Sequence, residues 1–335
     1  MAAFDEQEYT KDFDLNIWKR LLPILARYKA VILAMITING LTAVIDVAIP
    51  LFQQYAIKHF IEADTLDGLP LFALAYLGAI LLEAVMVVGF ARQAMHVEMF
   101  LGRDLRQDLF RHLQTLSLSF YDVTPVGYLI TRVMNDTNRI AGNIAWNLTD
   151  MAWALLYVMG VFAAMLALNW QLALVVILVV PAIAALTGWF QPRILHWNRK
   201  VRKINSKITG AFNEGISGAK TSKTMVIEDQ EIGAFRDLTG SMRQSGVRDA
   251  RLNAVYIPLA LFFSSMAVAI VLLRGGYLVV GQVLDIATLS VFLTYAMGIF
   301  EPIQQTAANL AEFIALQASI ERVTGLLDEK PLITD

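Results

Sequence analysis

Residues 151–192 read MAWALLYVMGVFAAMLALNWQLALVVILVVPAIAALTGWFQP and contain no Asp, Glu, Lys or Arg. A helix needs about 20 apolar residues to cross a bilayer, so these 42 residues are long enough for two crossings. The polar residues Asn169 and Gln171 interrupt the stretch near its middle and predict a tight turn there. The stretch therefore predicts two membrane-spanning helices joined by a very short connection.

Four further stretches with at most one charged residue extend this pattern along the chain. The composition agrees, because 57% of the 335 residues are apolar and 17% are charged, against about 25% charged in an ordinary soluble domain. These values exclude a soluble or disordered protein, and the net charge of −2 argues against nucleic-acid binding. The predicted spans lie at about residues 30–60, 69–91, 145–168, 170–191, 252–273 and 286–308.

The distribution of Lys and Arg predicts the orientation of these spans. With the N-terminus inside, 25 of the 27 basic residues fall in cytoplasmic segments, and only Lys58 and Arg274 lie near the outside. Both termini are then expected in the cytoplasm. The N-terminal segment, residues 1–29, should contain a short helix at the membrane interface, which Asp14 can cap.

The inner connections, at about 92–144 and 192–251, are long and have helical periodicity. A continuous helix over 69–118 would be about 75 Å long at 1.5 Å per residue, whereas the hydrocarbon core is about 30 Å thick. Each inner connection is therefore predicted to be a helical hairpin that extends well beyond the membrane.

The tip of the first hairpin contains the sequence FYDVTPVGYLITRVMNDT at residues 120–137. Pro125 and Gly127 predict a turn there. A short helix should then begin near Ile130 and expose the charged side chains of Arg132, Asp136 and Arg139. This pattern resembles the first intracellular loop of ABC exporters, where an aromatic-Asp pair, a Pro-x-Gly turn and an Arg-Val-x-x-Asp-Thr run follow in that order.

Three further segments are similar to the same family, in the same order along the chain. The second hairpin tip, NEGISGAKTSKT at residues 213–224, resembles the stretch around the second coupling helix. Residues 275–295 are similar to the turn into the sixth helix, and residues 318–323 to the end of that helix. The resemblance covers about residues 12–331. One departure is Tyr128, which stands where the family usually has a charged residue.

The resemblance implies an all-α membrane protein with the ABC exporter transmembrane-domain fold over residues 30–323. Residues 324–335 would form a linker toward a nucleotide-binding domain. The second tip is similar to one half of heterodimeric multidrug exporters from bacteria, which implies a second half and a bacterial plasma membrane. The tips would dock on nucleotide-binding domains, the second on the partner's. The implied coupling residues are Tyr121, Gly127, Arg132, Asp136, Thr137, Glu214, Gly218, Lys223 and Glu228.

The chain contains no P-loop, Gly-x-x-x-x-Gly-Lys-[Ser/Thr]. The nearest approach, Gly210 to Gly215, continues with Ile216 and Ser217. We therefore expect no catalytic site, cofactor or metal in this chain, with ATP and Mg²⁺ bound by the nucleotide-binding domains. The other expected partners are membrane lipid, the second transmembrane half and an amphipathic small-molecule, lipid or peptide substrate moved by alternating access.

Several polar side chains lie inside the predicted spans, where a charge normally faces a protein interior or a wet cavity. They favour a substrate cavity for cationic, amphipathic solutes, but neutral or paired acids that fix helix packing would give the same pattern. Intramembrane carboxylates also leave open a proton-driven peptide transporter of the same fold without an ATPase. The cavity candidates are Asp46, Gln53, Glu83, Glu301, Gln304 and Gln305.

Overall fold

A computed structural model describes residues 14–330, and these residues are almost entirely helical, with no β-strand among them. Six of their helical segments are long and apolar enough to cross a membrane, which confirms the predicted all-α fold with six spans. The helices are α1 (Leu15–Leu25), α2 (Lys29–Ala56), α3 (Leu69–Leu113), α4 (Leu118–Val123), α5 (Val126–Thr131), α6 (Thr137–Gly142), α7 (Leu148–Leu168), α8 (Trp170–Ser217), α9 (Ala219–Met225), α10 (Glu228–Val280), α11 (Ile286–Gly298) and α12 (Phe300–Asp328).

The chain divides into two compact units, each with its own internal contacts. The larger unit contains the described residues 14–173 and 274–330, and therefore α1 to α7, α11 and α12. The smaller unit contains residues 174–273, which form most of α8, all of α9 and most of α10.

Helices α2 and α7 pack closely because glycines on each helix face branched side chains on the other. A Cβ atom placed at Gly160 of α7 would lie 3.0 Å from Val47 Cγ2, and one at Gly40 of α2 would lie 3.1 Å from Leu156 Cδ1. Lipid tails are as apolar as the side chains, so membrane helices associate mainly through close contacts of this kind. These glycines therefore set the separation between the first and third spans.

The main apolar core of the larger unit joins α3, α6 and α12. Its fully buried side chains include Leu101 and Leu105 of α3, Ile140 of α6 and Ile320 of α12. All four lie outside the predicted spans, where water surrounds the protein and apolar burial stabilises by roughly 25 cal/mol per Å². The core thus holds the first hairpin against the C-terminal half of α12.

The N-terminal helix α1 is attached to α12. Asp14 caps it as predicted, because its Oδ1 accepts a hydrogen bond from the backbone N–H of Asn16 at 2.8 Å. The Trp18 ring stacks on Phe313 of α12, with 4.3 Å between ring centroids. Leu21 is fully buried in the core, so α1 is a packed element of the larger unit.

Asn169 forms the tight turn predicted between the third and fourth spans. Helix α7 ends at Leu168 and α8 begins at Trp170, which leaves Asn169 as a single extended residue. Its Oδ1 accepts hydrogen bonds from the backbone N–H groups of Gln171 and Leu172, both at 3.1 Å. This side chain satisfies the first free donors of α8.

Two helix boundaries differ from the sequence predictions. Helix α3 ends at Leu113 rather than continuing to residue 118. The sixth span is broken at Ile299, between α11 and α12. The cause is Pro302, which has no N–H to donate to the carbonyl of Gly298 and whose ring crowds that carbonyl.

Candidate functional site

The tip of the first hairpin is a series of short helices rather than one helix beginning near Ile130. Helix α4 is held to the end of α3 by Tyr121, whose hydroxyl donates to the Leu113 carbonyl at 2.6 Å. Pro125 is extended and precedes α5, which includes Gly127 and is followed by a π-helical turn over Arg132–Asp136. The chain therefore changes direction before α5, but Gly127 lies inside that helix rather than in a Pro-x-Gly turn, and the helix begins four residues earlier than predicted.

The sequence prediction that Arg132 and Asp136 are exposed is wrong. Their side chains are both only 7% exposed, and Arg132 Nη1 donates to Asp136 Oδ2 at 3.0 Å. Arg322 of α12 makes a two-pronged contact with the same carboxylate, Nε to Oδ2 at 2.9 Å and Nη2 to Oδ1 at 2.6 Å. The periodic pattern gave no sign of this partner, which lies 186 residues away. Arg139 is exposed, as predicted.

The surroundings of Asp136 keep its carboxyl group ionised. Burial alone would raise the pKa of Asp136, but the hydrogen bonds and charge of Arg322 lower it below its usual value, with further hydrogen bonds from Ser319 and Arg132. The Arg132 guanidinium lies over the Tyr128 ring, 4.2 Å from its centroid. Tyr128, the departure from the family pattern, therefore covers a buried charge by a cation–π contact.

Thr137, another predicted coupling residue, is also buried. Its hydroxyl donates to the carbonyl of Val133 at 2.6 Å, which is a bond within the helix. Of the predicted coupling residues in the first hairpin, Tyr121 and Gly127 are exposed, whereas Arg132, Asp136 and Thr137 face the core.

The second hairpin tip turns at Gly218, between α8 and α9. The Gly218 N–H donates to the Glu214 carbonyl at 2.7 Å, and a Cβ atom at Gly218 would lie 2.9 Å from that oxygen. Glycine is therefore the residue that fits this close approach. Glu214 and Lys223 are exposed and Glu228 is half-buried at the start of α10.

Ser222 holds the second tip together and was not predicted. Its hydroxyl donates to Glu231 Oε1 at 2.6 Å, which ties α9 to α10, and the residue is 5% exposed. Beside this contact, α8 and α10 enclose a groove of about 450 Å³. Large apolar side chains at the tip remain exposed in this chain, namely Phe212, Ile216, Met225, Val226 and Ile232.

The intramembrane carboxylates of α2 and α3 are brought together. The Asp46 and Glu83 side chains lie close enough to interact, and Trp153 Nε1 of α7 donates to Asp46 Oδ2 at 3.0 Å. Tyr157, one turn along α7, stacks on Trp153. Trp153 is a partner that the sequence pattern did not identify.

The remaining cavity candidates are more accessible. Gln53 is exposed on α2, and Glu301 and Gln305 are exposed on α12, while Gln304 is half-buried. Gln305 Nε2 donates to Asn309 Oδ1 at 3.0 Å along the same helix. Among the described residues, no contact joins Glu301 to the pair of carboxyl groups on α2 and α3.

The described part of the chain contains no group of three or more His, Asp or Glu side chains that could hold a metal ion. The sequence also contains no P-loop to bind the phosphates of ATP. The candidate site therefore consists of exposed side chains at the two hairpin tips and polar side chains inside the spans.

Comparison with known proteins agrees with this architecture. YgaD of Bacillus subtilis (strain 168), named as a candidate multidrug export ATP-binding/permease protein, is 25% identical over 96% of this chain and 56% of its own length. An ATP-dependent lipid A-core flippase of Desulfotalea psychrophila (strain LSv54 / DSM 12343) is 26% identical over 97% of this chain and 56% of its own length. The chain thus spans about half the length of these relatives. The sequence profile of the ABC transporter transmembrane region matches residues 32–303, and the chain belongs to this family.

Proposed function

We propose that this chain is the substrate-translocating domain of an ATP-driven exporter. It would move amphipathic drugs, lipids or peptides out of the cytoplasm by alternating access, with both termini in the cytoplasm. Nucleotide-binding domains would bind ATP and Mg²⁺, and a second transmembrane half would complete the pathway. The observation that carries this proposal is the second hairpin tip, a glycine-dependent turn that exposes Glu214, Lys223 and large apolar side chains.

The names of the relatives support the proposal of an ATP-driven exporter. They are named as ATP-binding/permease proteins or ATP-dependent flippases, and this chain aligns with about half of each. A hairpin with exposed apolar side chains outside the membrane favours a protein partner. The nucleotide-binding domain of the partner half would be that partner, and Glu214, Gly218, Lys223 and Glu228 would contact it.

The experiment is ATP-dependent transport by the full-length gene product in inverted membrane vesicles, with ethidium as the probe. We expect Lys223→Glu to lower the transport rate at least fivefold, because it reverses a charge at the proposed contact. The matched control is Lys207→Glu, which reverses an exposed charge on α8 before the tip and should stay within twofold of the parent. Transport that needs a proton gradient but no ATP would instead support the proton-driven alternative.

The intramembrane carboxylates are proposed to line the substrate pathway, with Glu301 the first to test because it is exposed on α12. We expect Glu301→Gln to reduce transport of the cationic dye ethidium while a neutral dye ester is transported normally. Glu312→Gln is the control, since Glu312 is exposed on the same helix outside the predicted span. If Glu301→Gln transports both dyes as the parent does, Glu301 does not select for cations.

A further inference from the structure

A buried ionic cluster connects two parts of the larger unit that are distant in sequence. Asp136 belongs to the first hairpin, and Arg322 lies near the C-terminal end of α12. The Asp136 and Arg322 side chains are 7% and 16% exposed, and Arg322 Nη2 also donates to Ser319 Oγ at 3.0 Å. The contact is therefore shielded from solvent, and the hydrogen bond to Ser319 helps to orient the Arg322 side chain.

The contact between Arg322 and Asp136 fixes the relative orientation of the two side chains as well as the distance between them. Arg322 uses two nitrogens on the two oxygens of one carboxylate, and such a two-pronged pair defines the relative orientation of the groups as well as their separation. The buried apolar side chains around it, among them Ile140 and Ile320, make non-directional contacts that tolerate sliding. The ionic contact is therefore a buried, directional element of this interface that specifies its register.

We propose that Arg322 is a positioning residue that locks α12 and the first hairpin into one rigid body during transport. This inference rests on the proposed function, in which movement begins at the nucleotide-binding domains and reaches the spans through the hairpins. Arg132 supports the lock from the hairpin side by holding Asp136 Oδ2 at 3.0 Å. A displacement of α12 would then carry the tip of the first hairpin with it.

The first test measures the lock directly by spin labelling of the full-length protein. This chain contains no Cys, so labels can be placed at chosen positions in it. Ile130→Cys and Gly325→Cys suit the purpose, because Ile130 is 58% exposed and a Cβ at Gly325 would meet nothing within 4 Å. We expect one narrow distribution of label distances, both without nucleotide and with ATP plus vanadate.

Removal of the lock should broaden this distribution. We expect Arg322→Gln to at least double its width and Arg322→Lys, which keeps the charge but loses the two-pronged contact, to broaden it less. The control is Arg20→Gln. Arg20 of α1 forms an exposed ion pair with Asp328, which lies on α12 as Arg322 does, and loss of this pair should leave the width unchanged. An unchanged width in Arg322→Lys, or equal broadening in Arg20→Gln, overturns the proposal.

The second test separates positioning from stability. A residue that only stabilises the fold lowers ATP hydrolysis and ethidium transport in proportion, whereas loss of the lock lowers the number of ethidium molecules moved per ATP. We expect that ratio to fall at least fivefold in Arg322→Gln, and a constant ratio overturns the proposal. If the parent protein hydrolyses no ATP, the proposed function is refuted, and the label distances alone decide the lock.

Discussion

Replacement of Asp136 by Asn tests whether burial decides the strength of an ion pair in this protein. The Asp136 carboxylate accepts hydrogen bonds from Arg322 and Arg132 at 2.6, 2.9 and 3.0 Å. Asn keeps the shape but removes the negative charge, so two guanidinium groups remain beside a neutral amide. Breaking a buried ion pair from one side typically costs about 3–5 kcal/mol, and we expect a loss of this size.

The matched control makes the same chemical change at the surface. Asp328 accepts a hydrogen bond from Arg20 at 2.8 Å, a similar distance, but the two side chains are 63% and 58% exposed. Water screens such a pair, which typically contributes about 0–1 kcal/mol. Asp328→Asn should therefore have a small effect, although it also removes a contact between α1 and α12.

The assay is unfolding of the purified protein in detergent, followed as a thermal midpoint. We expect Asp136→Asn to lower the midpoint by several degrees and Asp328→Asn to leave it nearly unchanged. Because its partners hold the Asp136 pKa below its usual value, this pair stabilises at neutral pH and loses its contribution as pH falls through that lowered pKa. Equal shifts in the two variants would refute the reasoning that burial, rather than distance, sets the cost.

Two further predictions concern helix packing and pH. Gly160→Leu should destabilise by about 1–3 kcal/mol because its side chain would overlap Val47, while Gly78→Leu, with nothing within 4 Å, should be tolerated in the same detergent melts. Burial and the hydrogen bond to Asp104 raise the pKa of Tyr28 to about 12, so its contribution to stability is complete below pH 10 and is lost as pH rises toward 12. Melts from pH 8 to 11 should show that Tyr28→Phe is less sensitive to alkali than the parent, and parallel curves would contradict the assignment.

The spans could be predicted from sequence because the cost of placing charge in lipid is a local property of each segment. The charge-free stretch 151–192 needed no knowledge of the other helices, and the turn at Asn169 followed from two polar residues within it. The break at Ile299 was also encoded locally, by Pro302, although the span was predicted as one helix.

The ionic cluster could not be predicted in this way, because burial of Arg132 and Asp136 depends on where α12 lies. A helical pattern shows which residues share a face, but not which face meets a distant partner. The same limit applies to Asp46 and Glu83, whose meeting depends on how α2 and α3 cross. From the sequence, both carboxylates were predicted to lie in the membrane, but the sequence did not decide whether they line a cavity or contact each other.

The two hairpins differ in the placement of their charged groups and resemble each other in their exposed apolar side chains. The first hairpin buries the charges of Arg132 and Asp136 against Arg322 of α12, a costly arrangement that is stable only because the partners are complete. The second leaves Phe212 60%, Ile216 63% and Val226 82% exposed, although these residues lie outside the predicted spans. Full burial of one such side chain stabilises by about 1.5–3 kcal/mol, so a partner that covers this tip would gain several kcal/mol. The first tip leaves Leu118 84% and Val126 65% exposed as well, so under the proposed function a covering domain would stabilise both tips in the same way.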